Sequence, residues 1–428
     1  MTEQDLADEQ SPRVLARSSH PISRDDMPSN VVKVLYRLNK AGFKAYLVGG
    51  SVRDLMLGRE PKDFDIGTDA KPAEIRRLFR NSRIIGRRFR LAHIYFQDGI
   101  IEAATFRRTP EEDEQESAPD ELLITSDNTF GTPRQDAFRR DFTINALFYN
   151  IDDFSVLDYV GGIRDLEDRI VRCIGDPGIR FQEDPVRMMR ACEFAARLGF
   201  TIEPRTRDGV VEWADELSKA APARITEELI QLLRCGHAGS AIQWMLDLGL
   251  VDVLLPEVLD MVSAEAQGLG DLGALLPVID TRMAEGEEIS DSALVAAVLL
   301  PTVLLARGRK EAKLRRPLSR KEVVTVVQRA TRDFLQRFSL AKAKAQGMLE
   351  ALIGFQRLCE PGWTPARRRR YAGDTSFPDA LSLFGLMVEA TGQGREELEE
   401  WQEAGRLAAA ERAKSKPPRR RGRGGGGG

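Results

Sequence analysis

Histidine, cysteine and long apolar runs are scarce in this 428-residue chain, and each scarcity removes a class of chemistry. The four cysteines (Cys173, Cys192, Cys235, Cys359) are widely scattered without a CxxC, so neither a disulfide framework nor a cysteine zinc site is indicated. The three histidines, His20, His93 and His237, are followed by Pro21, Ile94 and Ala238. The His-Asp ligand pair of a metal-dependent phosphohydrolase is therefore missing. The longest apolar run, Ala293 to Ala306, contains Pro301 and falls short of the ~20 residues that span a bilayer. MTEQDLADEQ is acidic and polar, unlike a secretory signal, so the expected compartment is cytoplasmic, with no membrane partner. No internal repeat is visible.

What is present describes an ordinary globular protein of two or more domains, 42% hydrophobic and 30% charged. Its net charge of −3 conceals an uneven distribution. Between Ile75 and Gln97 there is no acid, but Arg76, Arg77, Arg80, Arg83, Arg87, Arg88 and Arg90 all occur. Further basic clusters run from Arg307 to Lys321 and from Arg367 to Arg370, and Arg419, Arg420, Arg421 and Arg423 precede a glycine run. Any one of these could be a solvated face; as a group they suit contact with a nucleic-acid backbone.

The most informative stretch is LVGGSVRDLMLGREPKDFDIG, Leu47 to Gly67. Asp63 and Asp65 are spaced for one strand face, with Phe64 expected to point the other way into a core. Paired carboxylates on a rigid element seat a divalent metal, since hard cations want oxygen ligands. Gly49 and Gly50 let backbone approach a ligand, Ser51 is placed to cap a short helix that Gly58 stops, and Arg53 in its first turn suits phosphate. A Gly-Gly turn alone is only a turn, and Asp-x-Asp alone is often a solvated edge; their combination is the signal. Glu102, lone acid of Ile100–Ala103, is a candidate third carboxylate facing the pair, an edge-strand charge being the alternative. Asp141, in RRDFTINALF, stands where an N-cap would. Asp184 is read as a cap, Pro185 as the first helical residue, and Arg187 and Arg190 as two cations on one face, an arrangement that calls for an anion such as a triphosphate. Glu193 and Arg197 read as a structural i,i+4 pair.

Alternating patterns predict a helix from Asp26, a strand at Tyr46–Val48, a helix opened by Pro72, and strands at His93–Phe96, Ile100–Thr105 and Phe148–Ile151. Residues 110–121 read as a mobile loop. Helical periodicity then takes over, around Pro185–Leu198, Ile225–Leu233 and Ala241–Leu248.

Together, GGSVRD, DFD, RRDFTINAL, DYVGGIRDLEDRIVRCIGDP and EDPVRMMRACEFAARLGF resemble the class II tRNA nucleotidyltransferase/poly(A) polymerase family of the polymerase β superfamily, from about Ser23 to Gly249 and weakly beyond 260. The resemblance implies an α+β protein: a mixed-sheet nucleotidyltransferase head, then all-helical neck, body and tail regions. The corresponding spans are a disordered 1–23, a head at 24–151, a base-recognising neck at 152–215, an RNA-binding body at 216–345, a helical region at 346–410 and a basic disordered tail at 411–428. It implies Asp63, Asp65 and Asp141 as catalytic acids, the first two as metal ligands; Glu102, from its place on the strand and not from the resemblance, is the candidate third. Gly49, Gly50, Ser51, Arg53, Arg140 and Arg190 would hold the nucleotide, and Asp184 and Arg187 would read the base edge. Arg224 and Glu228 of PARITEEL match a motif that steadies the helical region. The implied reaction is in-line attack of an RNA 3′-hydroxyl on the α-phosphate of ATP, assisted by two Mg²⁺ ions.

Two products occur in this family: adenylate runs on RNA, and CCA on tRNA. Ile84–Ile94 (IIGRRFRLAHI), the lead-in from His20 and the basic tail resemble the bacterial poly(A) polymerases. The expected RNA contacts are Arg87, Arg88, Arg90 and Arg419, Arg420, Arg421, Arg423. CCA addition is the alternative, and a non-catalytic RNA-binding protein of the same fold a weaker one, since all three aspartates are present.

Overall fold

The computed structural model describes residues 11–86, 90–108, 129–259 and 270–415. Two compact units divide the chain, one formed by residues 1–220 with 248–250 and the other by 221–247 with 251–428. The regions expected as head and neck thus share one unit.

The first unit is built on an eight-stranded sheet of order β1-β8-β7-β2-β3-β6-β5-β4. Its strands are β1 Arg13–Leu15, β2 Ala45–Val48, β3 Asp65–Thr68, β4 Ser82–Ile85, β5 Leu91–Phe96, β6 Gly99–Thr105, β7 Leu147–Asn150 and β8 Val156–Asp158. All neighbours run antiparallel except β3 and β6. On one side Val48, Phe106, Ala137, Ala146, Phe148 and Ile174 form a buried cluster. The helix Ser29–Lys40 buries Val31, Val34, Leu35 and Leu38, its i, i+3, i+4, i+7 stripe. Gly67 is glycine because a Cβ there would lie 2.6 Å from the Phe106 ring.

Several local expectations change. Residues 13–22 are ordered: β1 pairs with β8, Ile22 is fully buried, and His20 Nε2 is 2.7 Å from the Phe154 carbonyl. Three residues of β1 carry too little alternation to be legible as a strand. The helix Arg395–Ser415 runs through 411–415, into the span expected as tail. Residues 110–121, Arg87, Arg88 and the arginines of 419–423 lie outside the described residues.

Past the sheet, the helices Pro177–Glu183 and Val186–Leu198 follow a short β9 Ile170–Val171, which pairs with β10 Thr201–Ile202. Asp158 accepts hydrogen bonds from the N–H groups of Val160, Gly161, Gly162 and Ile163, which anchors the DYVGGI turn. The second unit is helical among its described residues. Its helix Asp291–Leu314 outruns the apolar run that marked it, takes Pro301 into its interior, and is long and apolar enough to cross a membrane. Residues 292–301 of it are nevertheless buried inside the unit.

Candidate active site

The register of the sheet builds the first half of the site. Asp65 opens β3 beside Val48 of β2 on one side and Glu102 of β6 on the other. Asp63 precedes the strand rather than lying in it, yet Asp63, Asp65 and Glu102 all line one cavity of about 1010 Å³. Phe64 lines it too and is half-buried, because the chain has not yet adopted the strand's alternation at that point. The expectation that Phe64 enters the core is therefore corrected.

Asp63 and Asp65 are exposed to this cleft and make no ion pair among the described residues. Protein packed behind Asp65, together with the charge of Glu102, raises its carboxyl to about 6; Arg140 opposes this and Asp63 adds to it. Mutually repelling carboxylates in one cleft are a donor set that a hard divalent cation would relieve. Among the described residues, no three His, Cys, Asp or Glu side chains are already gathered around one point.

The second half is a buried network of arginines. Arg53 is not in the cleft: it is 2% exposed, donates to both carboxylate oxygens of Asp54 and to Asn145 Oδ1, and lies against the Phe194 ring. Burial holds its guanidinium below the usual arginine value, and the hydrogen bonds to Asp54 offset this only in part. The first turn of the helix Gly50–Met56 faces the protein interior, which corrects the expected direct contact with triphosphate. Ser51 likewise is not the cap: Gly49 is, while the Ser51 hydroxyl donates back to the Val48 carbonyl. The glycine pair has a packing reason. A Cβ at Gly49, whose φ is +76°, would lie 3.0 Å from Arg140 Nη1, and one at Gly50 would lie 3.3 Å from Arg53 Nη2.

Asn145 links the network, donating to Asp141 Oδ1 while accepting from Arg53. Asp141 precedes a 3-10 turn at Thr143–Asn145 and takes a hydrogen bond from Arg190 at 2.8 Å. Burial alone would raise its carboxyl, but Arg190, Asn145 and the Phe142 N–H hold it down to about 2. Arg140 is held by Asp136 at 3.0 Å. Pro185 caps the helix Val186–Leu198, and Asp184 ends the helix before it. Arg187 is buried against Glu183, Asp184 and the carbonyls of Arg180 and Arg139. The anions that Arg187 and Arg190 called for are thus supplied first by the chain's own carboxylates. The Glu193–Arg197 pair forms at 3.0 Å, as expected. Sequence reading missed Asn145, Asp136 and Glu183; only Asn145, a lone amide in the apolar stretch FTINALF, left a signal.

Residues 45–172 match the model of the poly A polymerase head domain, and 199–261 match the probable RNA and SrmB-binding site of polymerase A. The chain is 48% identical over 249 residues to poly(A) polymerase I of Salmonella typhi, covering 57% of this chain and 54% of that one. A CCA-adding enzyme of Bacillus velezensis is 37% identical over 221 residues, 52% of this chain and 54% of that one. Thus the chain spans about half the length of these curated relatives. Among solved structures, the Bacillus stearothermophilus CCA-adding enzyme in complex with CTP shares the fold, with a TM-score of 0.60, 23% identity and coverage of 89% of this chain and 82% of that one.

Proposed function

Because the chain belongs to the class II nucleotidyltransferase/poly(A) polymerase family, we propose that it is a template-independent polynucleotide adenylyltransferase, adding AMP from ATP to RNA 3′ ends. The observation that carries this reading is the row Asp65–Glu102 with Asp63 in one cleft, beside Arg140 and the Gly49 turn. Asp63 and Asp65 would hold Mg²⁺, with Glu102 as the third acid; the charge it would supply there is what neutralises a reacting phosphate and favours ionisation of the attacking hydroxyl. Arg140 carries positive charge to the edge of the acid cleft, where the nucleotide's phosphates would lie. Asp141, Asn145 and Arg53 keep the floor of the site rigid, so little reorganisation is needed when substrate arrives. Asp184 offers an acceptor and Arg187 a donor, the pair suited to the amine and ring nitrogen of adenine.

Adenylation is favoured over CCA addition by the greater likeness to named poly(A) polymerases. CCA addition keeps the second place, since enzymes of that activity share the fold. The deciding assay supplies Mg²⁺, labelled RNA and each nucleoside triphosphate singly. Long tails from ATP alone on non-tRNA substrates are expected; C-then-A addition confined to tRNA lacking its CCA end would overturn the reading.

A further inference from the structure

The acid row does not stop at Glu102. Across the next pair of strands Glu102 faces His93 of β5, so Asp65, Glu102 and His93 stand side by side on three adjacent strands. All three line the same cavity. His93 Nε2 lies 3.1 Å from Glu102 Oε1. A carboxylate oxygen only accepts, so Nε2 is the nitrogen that would carry a proton toward it. The His93 side chain is mostly buried, whereas Glu102 is about half exposed, so the imidazole is the fixed member of the pair.

We infer that His93 is a positioning residue for the acid centre, holding one oxygen of Glu102 so that the other serves the divalent cation shared with Asp65. This rests on the reading of the cleft as a cation site. A histidine donating to a ligating carboxylate restricts its rotamers and tunes its basicity, and loss of such a partner typically costs 10–100-fold in metal affinity. The competing explanation is a cross-strand pair that only steadies the β5–β6 hairpin.

Mn²⁺ binding to the full chain, followed by loss of the free-ion paramagnetic resonance signal, separates the two. His93→Ala should weaken Mn²⁺ binding about tenfold, and His93→Gln, which restores an N–H donor, should recover most of it. In a Glu102→Ala background, His93→Ala should have no further effect. Unchanged affinity in His93→Ala, or an equal loss in the Glu102→Ala background, would overturn the inference. Circular dichroism identifies a misfolded variant; should His93→Ala misfold, the comparison moves to His93→Gln against His93→Leu, with equal affinities contradicting the role. If wild-type protein fails to bind Mn²⁺, or Asp65→Asn binds it equally well, the cation-site reading itself fails; if only the His93 variants are silent, that reading stands.

Discussion

Two groups of charges lie in the same unit and are treated in opposite ways. The carboxylates of the cleft, Asp63 and Asp65, face solvent without an ion pair among the described residues, and Asp65 is pushed up to about 6. The charges of the arginine network are buried or half-buried and matched: Asp141 is held at about 2 by Arg190 and Asn145, and Arg53 donates to Asp54 and Asn145. A matched buried charge is already in its final geometry, and it resists exchange because its partner would be left desolvated. A cluster of like charges in an open cleft is instead a free-energy store that a cation can release. On the proposed reading the cleft is the part that binds, and the network the part that stays still.

The sharpest way to break this contrast is to remove a cleft acid. Asp63→Ala should lower incorporation at least about 10³-fold, as loss of a cation's charge stabilisation would, while RNA affinity stays near wild type in a filter-binding assay. Substantial activity in that variant would dissolve the distinction. Next in size is Asp141→Asn, which removes the charge at the heart of the network. It should cost about 2 kcal/mol in urea unfolding at pH 7 and lower activity on the order of 100-fold. Loss of activity at unchanged stability would move Asp141 out of the scaffold and into direct contact with substrate.

The two acids also predict opposite pH dependences in chelator-treated protein. Asp141 is depressed in the folded state, so its stabilisation is present above the ordinary carboxylate range and disappears as pH falls toward 2. Asp65 is raised, so folding favours its protonated form; stability is greatest below about pH 4 and declines as pH rises through 6. Asp65→Asn should thus stabilise the metal-free protein at pH 7.5, by no more than about 1 kcal/mol since water in the cleft screens the charges. The gain should vanish near pH 4. A gain that persisted there would mean the carboxyl is not strained by its neighbours. The smallest effect belongs to the basic tail: deleting residues 419–428 should reduce RNA affinity a few-fold at low salt and less at high salt, as a counterion-release contact does.

The acid-bearing stretch was legible because its information is local. DFD and the strand around Leu47 announce themselves by residue type and spacing, and the helices by their apolar stripes. Which way a side chain faces was less legible. Arg53 is buried where its spacing predicts a ligand contact, and Phe64 is only half-buried at the cavity wall, since a seven-residue helix buried on its first turn and a segment just short of a strand obey no long period. Glu102 illustrates the remaining gap: its carboxylate was visible, but its place beside Asp65 comes from a parallel pairing 37 positions away in the chain. Asp136 is illegible for the same reason, and Asn145, though marked as a lone amide in FTINALF, has no legible partner; both roles are defined only once Arg140 and Arg53 pack against Gly49 and Gly50.

Anomalous diffraction from crystals soaked with Mn²⁺ and a non-hydrolysable ATP analogue would test the cleft most directly. The strongest manganese peak should fall between the carboxylates of Asp63 and Asp65, with the analogue's phosphates beside it. A peak elsewhere, with those two side chains contacting only water, would contradict the account.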